Sequence, residues 1–398
     1  MNKTKLENWI AQIEGLPVLD REALEDLQLK RLNEVLEKLH ERGRAYPRAL
    51  NSLKELESLP FTTAQMLSDN PGRFLQVSQA DVSRVISGAT SGTTGPAKRV
   101  FYTEKDTEHT VGFFAAGISE MLSRGEKCLI AFPFSGPFGL GELIAKAVER
   151  LGSIAVKAGF GQSWGELCDL VRAEQPETYI GFPVSLLGLC RVYGENFTIK
   201  RALVSGDACP EGVMAALEKM LGSRLYPHYG SRECGLGGAV TCQAFEGMHI
   251  RENHIIAEII DDEGNVLPEG EFGELVITSI GLEAMPLIRY RTGDYTRILP
   301  SCPCGGVTRR IDRVSRKERD ISIEQLDNVI FEEQAVVDYR ALYNGTLSIE
   351  LSLMGELDVD KLQGRINALY PHIGTEFVLR TFEYTDRPLY PGKRHIIT

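Results

Sequence analysis

The stretch Thr90 to Lys98, which reads Thr-Ser-Gly-Thr-Thr-Gly-Pro-Ala-Lys, concentrates hydroxyl groups, glycines and one lysine. Glycines let main-chain N–H groups turn toward an anion, and hydroxyl and ammonium groups add donors and positive charge. The stretch is not a Walker A loop, because no Gly-Lys-Ser/Thr follows at the required spacing. Alone, such a composition is also typical of a flexible surface turn. The pattern predicts a phosphate-binding loop that uses Ser91, Gly92, Thr93, Thr94, Gly95 and Lys98.

A second group of residues has the chemistry of a metal site. Cys242 and His249 form a Cys-x6-His pair, and Cys302 and Cys304 lie in the turn Cys-Pro-Cys-Gly-Gly. Three thiolates and one imidazole form a typical tetrahedral zinc set, and four protein ligands leave no open position. The pattern therefore predicts a structural Zn²⁺. The alternative is a packed histidine beside a turn that is merely close-packed.

The composition limits the classes of partner. The chain has 398 residues, 43% of them hydrophobic, and a formal net charge of −11, which argues against a nucleic-acid partner. The N-terminal residues lack an apolar signal core and no apolar run is long enough to span a bilayer, so we expect a soluble cytoplasmic protein. Four further cysteines lie singly in apolar surroundings and are expected to pack as reduced thiols: Cys128, Cys168, Cys190 and Cys209.

The elements that would position these residues change in character along the chain. Apolar residues at helical spacing predict an amphipathic helix over 20–42. From 128 to 221, β-rich runs alternate with helical stretches, which predicts βαβ crossovers and a parallel sheet. Between 245 and 299, strand-like runs at 255–260, 273–278 and 295–299 predict antiparallel hairpins. Strands and one helix over 337–384 predict a small α+β unit after the charged hinge 316–320.

Three further motifs follow the first loop: Tyr229-Gly230-Ser231-Arg232-Glu233, Arg289-Tyr290-Arg291-Thr292-Gly293-Asp294, and Pro391-Gly392-Lys393. In this order they resemble the AMP-forming acyl-CoA synthetase superfamily of adenylate-forming enzymes. Leu59-Pro-Phe-Thr-Thr, Gly247-Met-His and Pro286-Leu-Ile resemble its phenylacetate–CoA ligase branch, which includes the coenzyme F390 synthetases. The similarity spans about residues 55 to 320.

The resemblance implies an α/β fold with two domains. The large domain, residues 1–315, would hold mixed and parallel sheets flanked by helices, a β-barrel-like subdomain and a helical N-terminal part over about 1–85. Residues 316–398 would form a small, mobile α+β lid that carries Lys393.

The resemblance also implies a reaction and its site. A carboxylate would attack the α-phosphate of ATP to give an acyl-AMP and pyrophosphate, and a thiol or amine would then take the acyl group. Lys98 would hold phosphates, Glu233 would ligate Mg²⁺ and Lys393 would bridge the two anions. The remaining nucleotide contacts would come from Ser205, Gly206 and Asp207, from Tyr229, Gly230 and Ser231 around the adenine, and from Asp294 with Arg316 or Lys317 at the ribose.

The acceptor stays open at this stage. The hinge segment Ser315-Arg-Lys-Glu-Arg-Asp-Ile-Ser-Ile-Glu contains no glycine, whereas close approach of a pantetheine arm to backbone usually needs one. CoA is favoured, a carrier-protein pantetheine or an amine is second, and a nucleotide-binding protein without turnover is third. The joint presence of Lys98, Glu233, Asp294 and Lys393 speaks against the third.

The acid and the oligomeric state are less well determined. Aromatic residues that could line an apolar pocket favour an aryl or small apolar acid: Phe132, Phe134, Phe138, Phe160, Phe182, His228 and Tyr229. A homodimer is left open.

Overall fold

The computed structural model describes residues 4–88, 98–137, 139–316, 320–390 and 392–397. Its α-helices are α1 (Lys5–Glu14), α2 (Arg21–Glu41), α3 (Ala64–Asp69), α4 (Glu104–Ile118), α5 (Leu140–Arg150), α6 (Trp164–Glu174), α7 (Pro183–Tyr193), α8 (Glu211–Leu221), α9 (Ile323–Ile330) and α10 (Val359–Leu369). No helix among these residues is long and apolar enough to cross a membrane.

The strands are mostly short. They are β1 (Arg84–Gly88), β2 (Lys98–Tyr102), β3 (Lys127–Ala131), β4 (Ile154–Lys157), β5 (Thr178–Gly181), β6 (Arg201–Val204), β7 (Tyr226–Tyr229), β8 (Ala239–Val240), β9 (Met248–Ile250), β10 (Ile255–Ile260), β11 (Gly273–Ser279), β12 (Tyr290–Thr296), β13 (Ile298–Leu299), β14 (Arg310–Ile311), β15 (Ser315–Arg316), β16 (Val336–Tyr343), β17 (Thr346–Leu353) and β18 (Gly374–Thr381).

The chain forms two compact units. Unit 1 contains residues 1–120 and 228–317, and unit 2 contains residues 121–227 and 318–398. The C-terminal segment thus packs with 121–227 in this structure, although its start lies close to the predicted boundary at 316. A mobile lid over 316–398 stays a prediction.

Unit 1 holds the N-terminal helices and antiparallel strands. Asp20 caps α2, because its side chain accepts a hydrogen bond from the N–H group of Ala23. The apolar face of α2 packs through Leu32 and Leu36 on a cluster that includes Ile256 and Ile288. Strands β10, β11, β12 and β15 form one antiparallel sheet, which confirms the predicted hairpins.

Unit 2 holds the parallel strands β6, β5, β3 and β4 in this order, and β6 also pairs with Tyr226 and Pro227, the residues of β7 that belong to unit 2. Near-continuous apolar strands such as β5 are buried on both faces, as expected when helices cover a parallel sheet. The C-terminal segment adds the sheet β16-β17-β18 with α9 and α10, and one apolar cluster spans both parts of the unit. The predicted α/β class is confirmed.

One strand differs from the prediction. The pattern places a strand over 295–299, whereas β12 already begins at Tyr290 and therefore contains Asp294. The motif pairs with β11 at Tyr290 and Arg291, and Asp294 pairs with β15. The register on β11 shifts after Arg291, and the N–H groups of Gly293 and Asp294 donate to the side chains of Glu274 and Thr292.

Candidate active site and metal centre

Lys98 and Glu233 form a buried ion pair in unit 1. Lys98 opens β2, where it lies opposite Gly88 of β1, and Glu233 lies in the single-turn 3-10 helix 232–234. The ammonium nitrogen lies 2.5 Å from Glu233 Oε1 and donates to the Tyr290 hydroxyl at 2.8 Å. The Tyr290 hydroxyl in turn donates to Glu233 Oε1 at 3.2 Å. The structure therefore brings together two predicted site residues and adds Tyr290.

The charges of this pair support one another. Burial alone would raise the pKa of Glu233, but the Lys98 ammonium and its hydrogen bond outweigh burial, so the pKa lies below its ordinary value. Burial raises the pKa of Tyr290, and the neighbouring Glu233 carboxylate raises it further. Tyr290 is thus a neutral hydrogen-bonding group between a cation and an anion.

Tyr229, Asp294 and Arg316 meet at a second point in unit 1. The Tyr229 hydroxyl donates to Asp294 Oδ2 at 2.9 Å, and Arg316 Nε lies 3.7 Å from Asp294 Oδ1. Strand pairing sets the second contact, because Asp294 on β12 lies directly opposite Arg316 on β15. The residues predicted to bind adenine and ribose are therefore neighbours.

The turn after Tyr229 needs its glycine. A Cβ atom at Gly230 would lie 2.1 Å from the carbonyl oxygen of Leu236, which backbone cannot accommodate. The next residue, Ser231, donates its N–H group to Cys234 Sγ at 3.1 Å. These contacts fold the motif tightly and hold Glu233 toward Lys98.

A clamp around Arg289 fixes the strand that carries Tyr290 and Asp294. Arg289 has a positive φ of 46°, which is unusual for a residue with a side chain. Its guanidinium stacks on Phe61, pairs with Glu258 at 3.0 Å and donates to the carbonyl oxygens of Glu57 and Leu59. The backbone of Thr62 bonds to Arg289 and Arg291 on either side of Tyr290.

Ser205, Gly206, Asp207 and Lys393 belong to unit 2. Asp207 Oδ2 accepts the N–H group of Arg394 at 2.8 Å, so the predicted adenine loop holds the residue that follows Lys393. Burial raises the pKa of Asp207, and the charges of Lys393 and Arg394 oppose that shift. Gly206 has a φ of 84°, and a Cβ atom there would come within 2.6 Å of the Phe182 ring.

Arg394 is the centre of a buried charge cluster. Its guanidinium lies 2.9 Å from Asp327 Oδ1 and 3.3 Å from Asp338 Oδ1, and it stacks 4.3 Å from the ring centre of Tyr339. Its backbone N–H group donates to Asp207, so three acids contact this one arginine. Burial raises the pKa of Asp327 to about 7, although Arg394 acts in the opposite direction.

The four predicted metal ligands converge in unit 1. Their ligand atoms all lie within 4.8 Å of one another. Cys242 Sγ and Cys302 Sγ are 3.8 Å apart, and Cys304 Sγ lies 3.5 Å from His249 Nε2. Zinc with tetrahedral bonds of about 2.3 Å to sulfur and about 2.0 Å to nitrogen separates such atoms by about 3.8 and about 3.5 Å. The residues therefore fit Zn²⁺.

Other predicted residues are accounted for as follows. Ser91, Gly92, Thr93, Thr94, Gly95 and Lys317 lie outside the described residues. His228 packs against the rings of Phe113 and Phe114, and burial lowers its pKa to about 4, so it is a core residue in this structure. The four single cysteines are buried as expected.

Sequence reasoning assigned no role to Tyr290, Arg394, Glu7 or Thr308. The first two lie within or beside quoted motifs, which is the only signal that could have identified them. Glu7 lies far from any motif, and its contact with the Thr308 loop is visible only in three dimensions.

The family comparisons agree with the geometry. The model of the AMP-binding enzyme family matches residues 51–284. Phenylacetate-coenzyme A ligase from Pseudomonas putida is 31% identical, with 83% of this chain and 76% of that protein covered. The enzyme of the same name from Aromatoleum evansii is 32% identical, with coverages of 78% and 74%.

A solved structure shares the fold. The crystal structure of 2-hydroxyisobutyryl-CoA ligase in the postadenylation state, in complex with R3-HIB-AMP, superposes with a TM-score of 0.77. It is 18% identical and covers 94% of this chain and 89% of that one. The predicted resemblance is confirmed, and the chain belongs to the AMP-binding enzyme family, in its phenylacetate–CoA ligase-like branch of AMP-forming acid–thiol ligases.

Proposed function

We propose that this protein activates an aryl or small apolar carboxylic acid with ATP and transfers the acyl group to CoA. The observation that carries the proposal is the convergence of separate motifs within unit 1. Lys98 and Glu233 are 135 residues apart in the chain and form a buried pair, and Tyr229 and Asp294 meet over 65 residues. Family membership supplies the reaction class.

The first step would form the acyl-adenylate. A carboxylate oxygen of the acid attacks the α-phosphorus of ATP, the bond from that phosphorus to the bridging oxygen breaks, and pyrophosphate leaves. Negative charge collects on pyrophosphate, so fixed positive groups lower the barrier most. Lys98 at the end of the phosphate loop suits this role, and Lys393 would reduce repulsion between the carboxylate and the α-phosphate.

The Tyr229–Asp294–Arg316 group suits the nucleoside. An ionised carboxylate is a strong acceptor for two ribose hydroxyls. In this structure Asp294 accepts from Tyr229, and Arg316 lies within ion-pair distance. We expect a ribose to take over part of these contacts.

Glu233 fits a role at Mg²⁺. This ion prefers carboxylate oxygens and keeps several waters, so it needs few protein ligands. The pKa of Glu233 is held below its ordinary value, so the group is an anion at neutral pH. Both contacts of its carboxylate to Lys98 and Tyr290 are made by Oε1. Bound Mg²⁺ would supply charge neutralisation at the phosphates.

The aromatic residues of unit 2 support an apolar acid. The rings of Phe132 and Phe182 lie 4.9 Å apart, and Phe160 lies 6.1 Å from Phe182. Gly206, in the predicted adenine loop, contacts this aromatic group. An aryl ring would suit such surroundings, and phenylacetate, the acid in the names of the relatives, is the first candidate.

In the second step a thiol would attack the acyl carbonyl carbon and displace AMP. The thiol gives up its proton and the carbon–oxygen bond to AMP breaks. We propose CoA as this thiol, because the relatives are named as CoA ligases. A carrier-protein pantetheine is the alternative acceptor. We also expect the protein to be located in the cytoplasm. That it forms a homodimer stays a prediction.

We also propose that Cys242, His249, Cys302 and Cys304 bind a structural Zn²⁺. The spacing of their ligand atoms supports it. Such an ion would join the segment after Glu233 to the loop that follows β13.

Pyrophosphate release tests the function directly. It would be measured with ATP and Mg²⁺ across aryl and aliphatic acids, each with and without CoA. We expect release that depends on one class of acid, with acyl-CoA formed only when CoA is present. Release without any acyl-CoA would move the acceptor to a carrier protein or an amine. A protein that binds ATP but releases no pyrophosphate with any acid would contradict the proposed activity.

A further inference from the structure

Glu7 on the N-terminal helix α1 reaches the loop of the metal centre. Its side chain is almost fully buried, and Oε1 accepts the N–H groups of Val307 at 2.5 Å and Thr308 at 2.9 Å. The same oxygen lies 3.2 Å from the hydroxyl of Thr308. That hydroxyl lies 2.8 Å from His249 Nδ1. A chain of hydrogen bonds therefore runs from α1 to one of the four metal ligands.

The direction of each bond follows from the number of hydrogens. Oε1 of Glu7 already accepts two N–H groups, so it acts as an acceptor toward the Thr308 hydroxyl. Thr308 has one hydroxyl hydrogen, which it donates to Glu7. Its oxygen must then accept from His249 Nδ1. His249 is therefore held with its hydrogen on Nδ1 and a lone pair on Nε2, the nitrogen that lies 3.5 Å from Cys304 Sγ.

We propose that Glu7 and Thr308 are positioning residues of the metal centre, which hold His249 in the tautomer that ligates through Nε2. The N-terminal helix is then part of the metal site. This inference rests on the proposed zinc site. A partner on the second ring nitrogen typically changes metal affinity about 10–100-fold.

The competing explanation is that Glu7 only anchors the loop. The chain offers a matched control for that role, because Glu252 anchors the same loop without contacting His249. Glu252 Oε2 accepts the N–H group of Arg309 at 2.7 Å and pairs with Arg21 at 2.7 Å. Glu252 is also buried. Removing its charge disturbs the loop anchor and leaves the tautomer of His249 unchanged.

The test measures zinc affinity by competition with a chromophoric chelator. Thr308→Val removes the hydroxyl and keeps the shape, and we expect zinc to bind about 10–100-fold more weakly. Thr308→Ser keeps the hydroxyl and should restore affinity. Glu7→Ala frees Thr308 to donate to Nδ1, so it should weaken zinc as well. The double variant Glu7→Ala with Thr308→Val should bind zinc only slightly more weakly than either single variant, because both substitutions act through one hydrogen-bond chain.

A second measurement reports the tautomer itself. Protein labelled with ¹⁵N-histidine and freed of metal should show the Nδ1–H signature for His249 in the wild type and in Glu252→Gln. Thr308→Val and Glu7→Ala should shift that signal toward the Nε2–H form, and this readout does not depend on activity.

The outcomes separate the two proposals. Wild-type protein that takes up no zinc overturns the metal site and this inference with it. Zinc bound equally well by the wild type and Thr308→Val overturns only the inference. Weakening by Glu252→Gln as large as that by Thr308→Val would show that loop anchoring, and not the tautomer, is responsible.

Discussion

The two units bury charge in different ways. In unit 1, Lys98 and Glu233 form a pair of one cation and one anion, with Tyr290 hydrogen-bonded to both. In unit 2, Arg394 is shared by Asp327, Asp338 and, through its backbone, Asp207. The first arrangement is balanced and the second has an excess of acid.

The pKa shifts follow this difference. Lys98 outweighs burial and lowers the pKa of Glu233, so this carboxylate stays ionised at neutral pH. In unit 2, Arg394 does not outweigh burial in the same way, and burial raises the pKa of Asp327 to about 7. A balanced pair suits the proposed roles of Lys98 at a phosphate and of Glu233 at a metal ion. We expect the acid-rich cluster to make the stability of unit 2 depend on pH.

Removal of the shared cation should have the largest effect on stability. Arg394→Met leaves Asp327 and Asp338 buried without their counter-charge, and we expect a loss of about 5 kcal/mol at pH 8. The loss should be smaller at pH 6, because the acids can then take up protons. Urea unfolding at both pH values measures it. A loss that does not change with pH would contradict the acid-rich description, and Arg172→Met, at an exposed ion pair, is the control.

Removal of one charge from the Lys98–Glu233 pair should destabilise the protein less than removal of the Arg394 charge. Lys98→Met leaves one buried carboxylate, and we expect a loss of about 3 kcal/mol. Lys98→Met with Glu233→Gln removes both charges and keeps an acceptor for Tyr290, so most of the stability should return. Pyrophosphate release should be absent in both variants. Equal stability of the single and double variants would mean that the pair is not coupled.

Lys393 should separate catalysis from stability. Lys393→Ala should slow acyl-adenylate formation about 100-fold, because a charge placed between two anions is lost. ATP affinity and the unfolding midpoint should stay near the wild-type values, because the side chain is exposed. Pyrophosphate release and nucleotide titration check this. Adenylation at the wild-type rate would remove Lys393 from the mechanism.

The smallest expected effect is the contribution of Asp327 to the pH dependence of stability. Because the folded pKa of Asp327 is raised, the folded protein binds more protons than the unfolded chain between about pH 4 and 7. The contribution of Asp327 to stability is therefore present at low pH and is lost as pH rises toward 7. Asp327→Asn keeps an acceptor for the Tyr339 hydroxyl and should flatten this dependence. Unfolding midpoints from pH 5 to 8 measure it, and an unchanged slope would assign the dependence to other groups.

Local patterns predicted much of the fold. The helix predicted over 20–42 is α2, which begins after its cap at Asp20, and the alternation from 128 to 221 gives the parallel strands of unit 2. These elements could be predicted because the spacing of apolar residues and the capping residues lie within short stretches of sequence.

The site was only partly predictable, because its remaining contacts join distant segments. The proposed zinc ligands have recognisable types and spacing, whereas Glu7 carries no signal that it lies against Thr308, 301 residues away. Arg394 beside Lys393 reads as an exposed terminal residue, and only the packing of the C-terminal segment shows that it is buried. The strand boundary at Tyr290 was missed because a motif selected for polar contacts does not alternate.

The clamp around Arg289 has a consequence for protein engineering. A left-handed backbone at a residue with a long side chain costs of order 1 kcal/mol, and the contacts to Glu57, Leu59 and Glu258 hold it in place. Glycine at 289 would relieve the backbone and lose every one of those contacts. In chimaeras with related ligases, segments 57–62 and 289–291 therefore have to come from the same parent, because a crossover that separates them would divide a single clamp.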